Sequence, residues 1–357
     1  VKKVILHIGN HKTGSTAIQH TLALNKQKLL EHGVVYSGIN PVTQNHVELA
    51  CAILKEALQK CDHLKDYPLL ENSSWNAEKI LEEIFMTEGK TVVISYEGLF
   101  SETFRGLHGL DQNYDPGLEK FCNSYIREWL AEHLKNYADE TVVVCYLRRQ
   151  DLFLEALYNE YIKNPWTKVT TLPRFREFIE ACPAHLDYAA ELKEWEQYYG
   201  KSEMIIRNYE EEFLPLGVAR DFLETAVQLS DEEITELEEV KWEDTNPRMS
   251  RDALETKKII YPKMPGEGTH EIFRQYILEH QDHTDYAYFS YQKRVDLMEE
   301  LEESNAVVAR VYLGRKPEPL FWNQNYFIPV YEGLTEEKFD EIMKWILQKL
   351  EINPELL

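Results

Sequence analysis

V-I-L-H-I-G-N-H-K-T-G-S-T, residues 4–16, decides how the rest of the chain is read. An apolar run enters Gly9, a short loop follows with Lys12 and Gly14, and Ser15 and Thr16 open a stretch in which Ile18, Leu22 and Leu29 recur at roughly helical spacing. The order is strand, glycine loop, helix. Such a loop turns successive backbone N–H groups and a helix N-terminus toward one point, which suits an anion and most often a phosphate. Gly9 and Gly14 keep the spacing of the nucleoside-triphosphate loop G-x-x-x-x-G-K-S/T. Ser15, however, stands where that loop has its lysine, and the lysine appears three residues earlier, at Lys12. This is not the loop of an NTPase.

Downstream of the loop, His32-Gly33 reads as a helix stop and residues 34–37 as a short second strand. Residues 45–90 read as helical and polar, without strong chemistry. T-V-V-I-S-Y-E-G at 91–98 has the length of a buried parallel strand and ends at the carboxylate of Glu97. Residues 101–117, with their glycines and proline, read as a loop, and 118–137 as a helix. E-T-V-V-V-C-Y-L-R-R at 140–149 is the most strand-like run; a helix over 151–163 follows, ended by Pro165. Residues 173–200 read as helical, and S-E-M-I-I-R-N-Y at 202–209 as the last strand. Between 230 and 305, charge and the breaks at Asn246-Pro247, Pro262 and Pro265-Gly266 suggest a helical region laid over one end of the sheet. A final helix over 336–350 carries Phe339, Ile342, Met343, Ile346, Leu347 and Leu350 on one face, expected to pack on the core. Strands alternating with helices predict one domain over 1–357, of the P-loop-type three-layer α/β class, with a central parallel sheet flanked by helices and a helical acceptor-binding region.

Of 357 residues, 43% are hydrophobic and 12% aromatic, as in a globular chain long enough to build its own core. A net charge of −23 argues against nucleic acid and against an anionic membrane as partners. If so acidic a protein holds a polyanion, its positive charge must be concentrated at the pocket, on Lys12 and Arg148. Cysteines 51, 61, 122, 145 and 182 are scattered, without C-x-x-C spacing, and read as free thiols in a reducing compartment. No run approaches the roughly eighteen apolar residues of a membrane span, and the first strand begins almost at once, leaving no room for a signal peptide. A cytoplasmic protein is expected, although a chain trimmed of a leader would read the same way.

Arg148 closes the strand at 140–149, and the helix after it continues with Ala156 eight residues on. A fork-shaped guanidinium beside a helix N-terminus suits a phosphomonoester. With that second motif, the chain resembles the bacterial type of sulfotransferase that uses 3′-phosphoadenosine 5′-phosphosulfate (PAPS). The form G-x-x-K-T-G-S-T is similar to the family's 5′-phosphosulfate loop, and Arg148 to the arginine of its 3′-phosphate motif. The family's helix serine is Ala156 here, which costs on the order of 1 kcal/mol of binding unless another group replaces the hydroxyl. I-S-Y-E-G-L-F-S at 94–101, R-N-Y-E at 207–210 with R-D-F-L at 220–223, and S-N-A-V-V-A-R-V-Y-L-G-R at 304–315 follow in the family's order.

The resemblance implies PAPS as cosubstrate, no required metal, and a cofactor site of Gly9, Asn10, His11, Lys12, Thr13, Gly14, Ser15, Thr16 and Arg148. Ala156 would lie at its 3′-phosphate, Tyr209 would be an aromatic contact, and Arg310 and Arg315 would fold over the phosphates. It implies as acceptor a carbohydrate or small secondary metabolite, and it is compatible with a homodimer. Lys12 would donate to the leaving oxygen, and a base near sulfur would take the acceptor proton. Glu97 is the candidate because it ends a strand, where ligands of such sheets gather, and it also reads as a loop cap or salt-bridge partner. His11 competes from the loop, and His7 reads as a hydrogen-bonded core residue. Residues 160–190 and 230–300 offer acceptor walls in Trp166, Trp195, Trp242, Tyr286, Tyr288 and Tyr291. Two other classes remain open, a small-molecule kinase that would need Mg²⁺ and a non-catalytic nucleotide-binding relative.

Overall fold

The computed structural model describes residues 2–100, 115–164, 171–181, 185–210, 214–240, 248–280, 286–315, 319–321 and 328–350. The strand expected before Gly9 is β1 (Lys3–Gly9), buried on both faces, as its uninterrupted apolar run requires. Then come α1 (Ser15–Leu24), α2 (Lys26–Glu31), β2 (Val34–Val35), α3 (Val47–Lys60) and α4 (Ala77–Phe85). They lead to β3 (Thr91–Ser95), α5 (Pro116–Leu134), β4 (Glu140–Leu147), α6 (Gln150–Lys163), α7 (Tyr188–Tyr199) and β5 (Met204–Asn208). The strands form a five-stranded sheet in the order β2-β3-β1-β4-β5, and every pairing is parallel.

That order puts β1 at the centre. The chain leaves it for the β2 edge, returns through β3, then crosses to β4 and β5 on the other side. Sheet growth therefore reverses beside β1, and ligands of open α/β sheets bind at the carboxyl ends of the strands at such a reversal. Alternation along β1 sends Val4, Leu6 and Ile8 into one apolar layer with α3, α5 and α7, and Ile5 into the opposite layer with α1 and α8 (Val218–Phe222). Sheet and two helical layers make the three-layer fold.

A second apolar cluster is built without the sheet. Phe153, Leu154, Leu157 and Tyr158 of α6 pack with α9 (Arg251–Ile260), α10 (Glu267–Glu279) and α13 (Glu336–Lys349), and α11 (Tyr291–Glu300) adds Leu297, while α12 (Glu302–Val311) buries Val308 and Ala309 in the sheet core instead. This is the helical region expected over 230–305, and the last helix belongs to it rather than to the sheet core. Only Ile342 and Ile346 of its six predicted apolar positions are fully buried, and Leu350 is exposed. The 45–90 stretch is less polar than expected: α3 buries eight of its residues against the sheet, which its small and aliphatic side chains permit. The expected loop at 101–117 lies mostly outside the described residues, and α5 opens early, with Asp115 capping it and Pro116 in its first turn. Cys51, Cys61, Cys122 and Cys145 are free thiols, and Cys182 lies outside the described residues. No helix among the described residues is long and apolar enough to cross a membrane.

Candidate functional site

The loop after β1 is built so that its amides are left over. Gly9 turns the chain at φ 94°, a conformation glycine adopts freely. Asn10 reaches across to β4, its N–H donating to the Tyr146 carbonyl at 3.3 Å, and its side-chain oxygen accepts from the His11 N–H at 2.7 Å. The Thr13 hydroxyl donates to the Asn10 carbonyl at 2.6 Å and the Ser15 hydroxyl to the same oxygen at 3.4 Å, which folds the loop on itself. From Lys12 through Ala17 the backbone N–H groups find no acceptor among the described residues, and Gly14 gives α1 no side-chain cap. Asn10 Nδ2 is also buried without a partner. A run of unpaired donors at a helix N-terminus is an arrangement that attracts an anion.

Each neighbouring strand delivers a residue to this loop. Beyond β3, the Tyr96 N–H donates to the His7 carbonyl at 3.1 Å and the Phe100 N–H to the Ile8 carbonyl at 3.0 Å, so the turn holding Glu97 lies along β1. A Cβ at Gly9 would stand 2.6 Å from the Glu97 Cα, so only glycine permits this approach. Glu97 Oε2 accepts from Gln19 Nε2 of α1 at 2.8 Å. Beyond β4, Arg148 Nη1 donates to the Lys12 carbonyl at 3.0 Å. Tyr209 follows β5, its N–H donating to the Leu147 carbonyl at 2.7 Å. Its ring lies 5.6 Å from the Arg148 guanidinium and would meet a Cβ at Gly14 at 3.0 Å. Gly9, Lys12, Gly14, Glu97, Arg148 and Tyr209 therefore meet at the carboxyl ends of β1, β3, β4 and β5.

Lys12 holds a φ of 59°, the left-handed region that side chains other than glycine avoid at a cost of roughly 1 kcal/mol or more. Its ammonium lies 2.9 Å from Glu160 Oε2, which Lys163 also reaches at 3.1 Å. Burial alone would raise the Glu160 carboxyl; Lys12 first and Lys163 next more than reverse this and hold it well below the ordinary carboxylate range. Glu160 was not among the expected site residues. Its only sequence signal is helical: it lies one turn beyond Ala156 on α6, on the same face.

Among the comparisons with known proteins, an uncharacterized protein of Archaeoglobus fulgidus is 28% identical to this chain over 244 residues. The match covers 64% of this chain and 64% of that protein's own length. No family model matches the chain, and no solved structure matches it significantly.

The remaining expected residues fall apart into groups. Arg315 is carried to the β5 end, where its Nη1 donates to the Leu320 carbonyl at 3.3 Å and Asn208 Nδ2 donates to the same oxygen. Arg310 is exposed on α12, without a hydrogen bond or ion pair among the described residues. Ala156 is half-buried on α6 and Thr16 half-buried in the first turn of α1. Trp195 is no pocket wall: it is 0% exposed in the sheet core, its indole N–H donating to the Phe100 carbonyl at 3.3 Å. The apolar face of α7 needed a large side chain against the sheet, and the indole fills that need. Tyr288 packs inside the helical region, its hydroxyl donating to Glu255 at 2.7 Å, whereas Tyr286 and Tyr291 are exposed. Trp166 and Trp242 lie outside the described residues. Burial lowers the proton affinity of the Arg148 guanidinium, Tyr209 opposes this, and the charge of Arg248 adds to the lowering. No group of His, Cys, Asp and Glu suited to a metal ion occurs among the described residues.

Proposed function

We propose that this protein is a PAPS-dependent sulfotransferase acting on a hydroxyl or amine of a carbohydrate or small secondary metabolite. The observation that carries the reading is the run of N–H groups from Lys12 through Ala17 without an acceptor among the described residues, at the point where Lys12, Arg148 and Tyr209 meet. Those amides, with the Ser15 and Thr16 hydroxyls, would hold a 5′-phosphate. Arg148, with Arg248 nearby, would take the 3′-phosphate that Ala156 cannot bond. Tyr209 presents a ring for the base. When bound, PAPS supplies the sulfuryl group, whose sulfur is attacked in line by the acceptor as its bond to the 5′-phosphate oxygen breaks.

The protein's own residues divide the work. Lys12 donates to the oxygen on which charge develops, and the loop amides spread that charge without moving. Glu97 receives the acceptor proton, leaving a carboxylic acid where a carboxylate stood. Glu160 tethers the Lys12 ammonium within reach of the loop, and a lysine has two further N–H donors to offer while it keeps that ion pair. A lysine placed early in the loop, with serine where an NTPase has lysine, favours sulfuryl over phosphoryl transfer. A cytoplasmic location belongs to the same reading, and the free thiols support it.

The deciding experiment is calorimetric titration of the protein with 3′-phosphoadenosine 5′-phosphate, set against ADP and 5′-AMP, without added metal. Binding that depends on the 3′-phosphate is expected. Equal or tighter binding of ADP, above all with Mg²⁺, would sink the proposal in favour of a kinase.

A further inference from the structure

Gln19 is a polar residue on a face where an amphipathic helix should be apolar. α1 buries it between Ile18 and Leu22, and it is 2% exposed. A buried primary amide must find partners for both of its N–H groups. One donates to Glu97 Oε2 at 2.8 Å and the other to Ser95 Oγ at 3.2 Å. The Ser95 hydroxyl, accepting from Gln19, lies 2.7 Å from His7 Nδ1. Burial pushes His7 down to about 4, against the opposing pull of Glu97, so the imidazole is neutral. Turning the Gln19 amide over would set its oxygen against the Glu97 carboxylate, which fixes the orientation of the amide.

The backbone of Glu97 is fixed by the turn along β1, so Gln19 fixes what remains, the carboxylate plane. Oε1 accepts from no group among the described residues. Among the described residues, the titratable groups that interact with Glu97 include His7 from β1 and Tyr36 beyond β2, the latter raised well above its ordinary range by burial first and Glu97 second.

We propose that Gln19 is the positioning residue of the candidate base: it binds one oxygen of Glu97 and leaves the other oxygen to receive the acceptor proton. The assignment rests on the sulfotransferase reading for its purpose, though not for its test. In the transfer, the acceptor oxygen forms its bond to sulfur, the bond from sulfur to the 5′-phosphate oxygen breaks, and the acceptor proton passes to Oε1. Gln19 stays bonded to Oε2 throughout and takes no proton.

The test follows the Glu97 carboxyl carbon by ¹³C NMR in protein labelled at the glutamate side-chain carbonyl, with Glu97→Gln giving the assignment. In Gln19→Met, which keeps the volume and loses both donors, the titration midpoint of that resonance should move up by about one pH unit relative to the native chain. Gln19→Glu places a second carboxylate against the first and should move it further in the same direction, which keeps the proposal testable if the methionine variant fails to fold. An unchanged midpoint in a folded variant overturns it. Because no nucleotide enters this measurement, a shifted midpoint in a protein that does not bind 3′-phosphoadenosine 5′-phosphate would refute the sulfotransferase reading and leave standing only that Gln19 holds the Glu97 carboxylate.

Discussion

At the scale of single residues, Lys12 joins the loop's geometry to its chemistry. A side chain held in the left-handed region at φ 59° is unfavourable in isolation, and such strain persists where the surroundings over-determine it. Here the surroundings are Arg148, donating to the Lys12 carbonyl at 3.0 Å, and Glu160, fixing the ammonium at 2.9 Å. Replacing the side chain by alanine leaves the backbone bond to Arg148 in place and removes the donor that acts on developing charge together with its ion pair to Glu160, which keeps Lys163 at 3.1 Å. Lys12→Ala is therefore expected to lower kcat roughly 100- to 1,000-fold, as loss of one such donor commonly does, with little change in the affinity for 3′-phosphoadenosine 5′-phosphate. Single-turnover transfer from PAPS, read beside calorimetry on the same variant, separates the two effects. Undiminished turnover would remove Lys12 from the chemistry.

At the scale of elements, α6 ties the sheet to the helical region, and charge does much of the tying. Asp151 at its start is gripped by Arg149 at 2.7 Å, and Glu155 one turn on receives Arg294 at 3.2 Å as well as Arg251. Glu160 near its end receives Lys12 and Lys163. Replacing one partner of such a cluster strands the others, so Glu160→Gln should cost about 2 kcal/mol at neutral pH. The sign of the pH dependence follows from the depressed carboxyl. Its contribution is complete above the ordinary carboxylate value of 4.5 and is lost as pH falls through the folded value, because the unfolded chain takes up the proton first. Urea melts between about pH 5 and about pH 3 should therefore show a shallower loss of stability in Glu160→Gln than in the native chain. Parallel slopes would mean that the pair adds nothing to folding. This pair also marks what the sequence could and could not tell. The loop, the strand ends at Glu97 and Arg148, and the parallel sheet were legible because each is a local pattern. Lys12 and Glu160 are 148 residues apart, and Gln19 and Glu97 are 78 apart, so both contacts needed the strand order to bring them together. Each left a faint local trace, Glu160 one turn beyond Ala156 and Gln19 as a glutamine on the buried face between Ile18 and Leu22. Trp195 misled for the converse reason: an aromatic ring fits a core and a pocket wall equally well until its helix is packed.

Charge distribution governs the molecule as a whole. With 62 acidic residues against 39 basic ones, even complete pairing of every cation would leave 23 carboxylates unmatched, and cations such as Arg127, Arg251 and Arg294 are committed inside. Folding gathers this excess into a smaller volume, so self-repulsion works against the compact state. Exposed ion pairs such as Arg220 with Asp231 and Lys338 with Glu341 work the other way, but solvent screens them and each contributes little. Salt weakens both effects. The unmatched carboxylates repel over many pair distances comparable with the Debye length, about 8 Å at physiological ionic strength, while an exposed pair in contact has little energy to lose. The repulsion should therefore dominate, and the urea midpoint at neutral pH should rise when NaCl is taken from low to physiological ionic strength. Urea is the suitable denaturant because it carries no charge of its own. A midpoint that falls instead would mean that attractive pairs outweigh the net charge, and that the cations of this acidic chain are spread among surface contacts rather than gathered at the carboxyl end of its sheet.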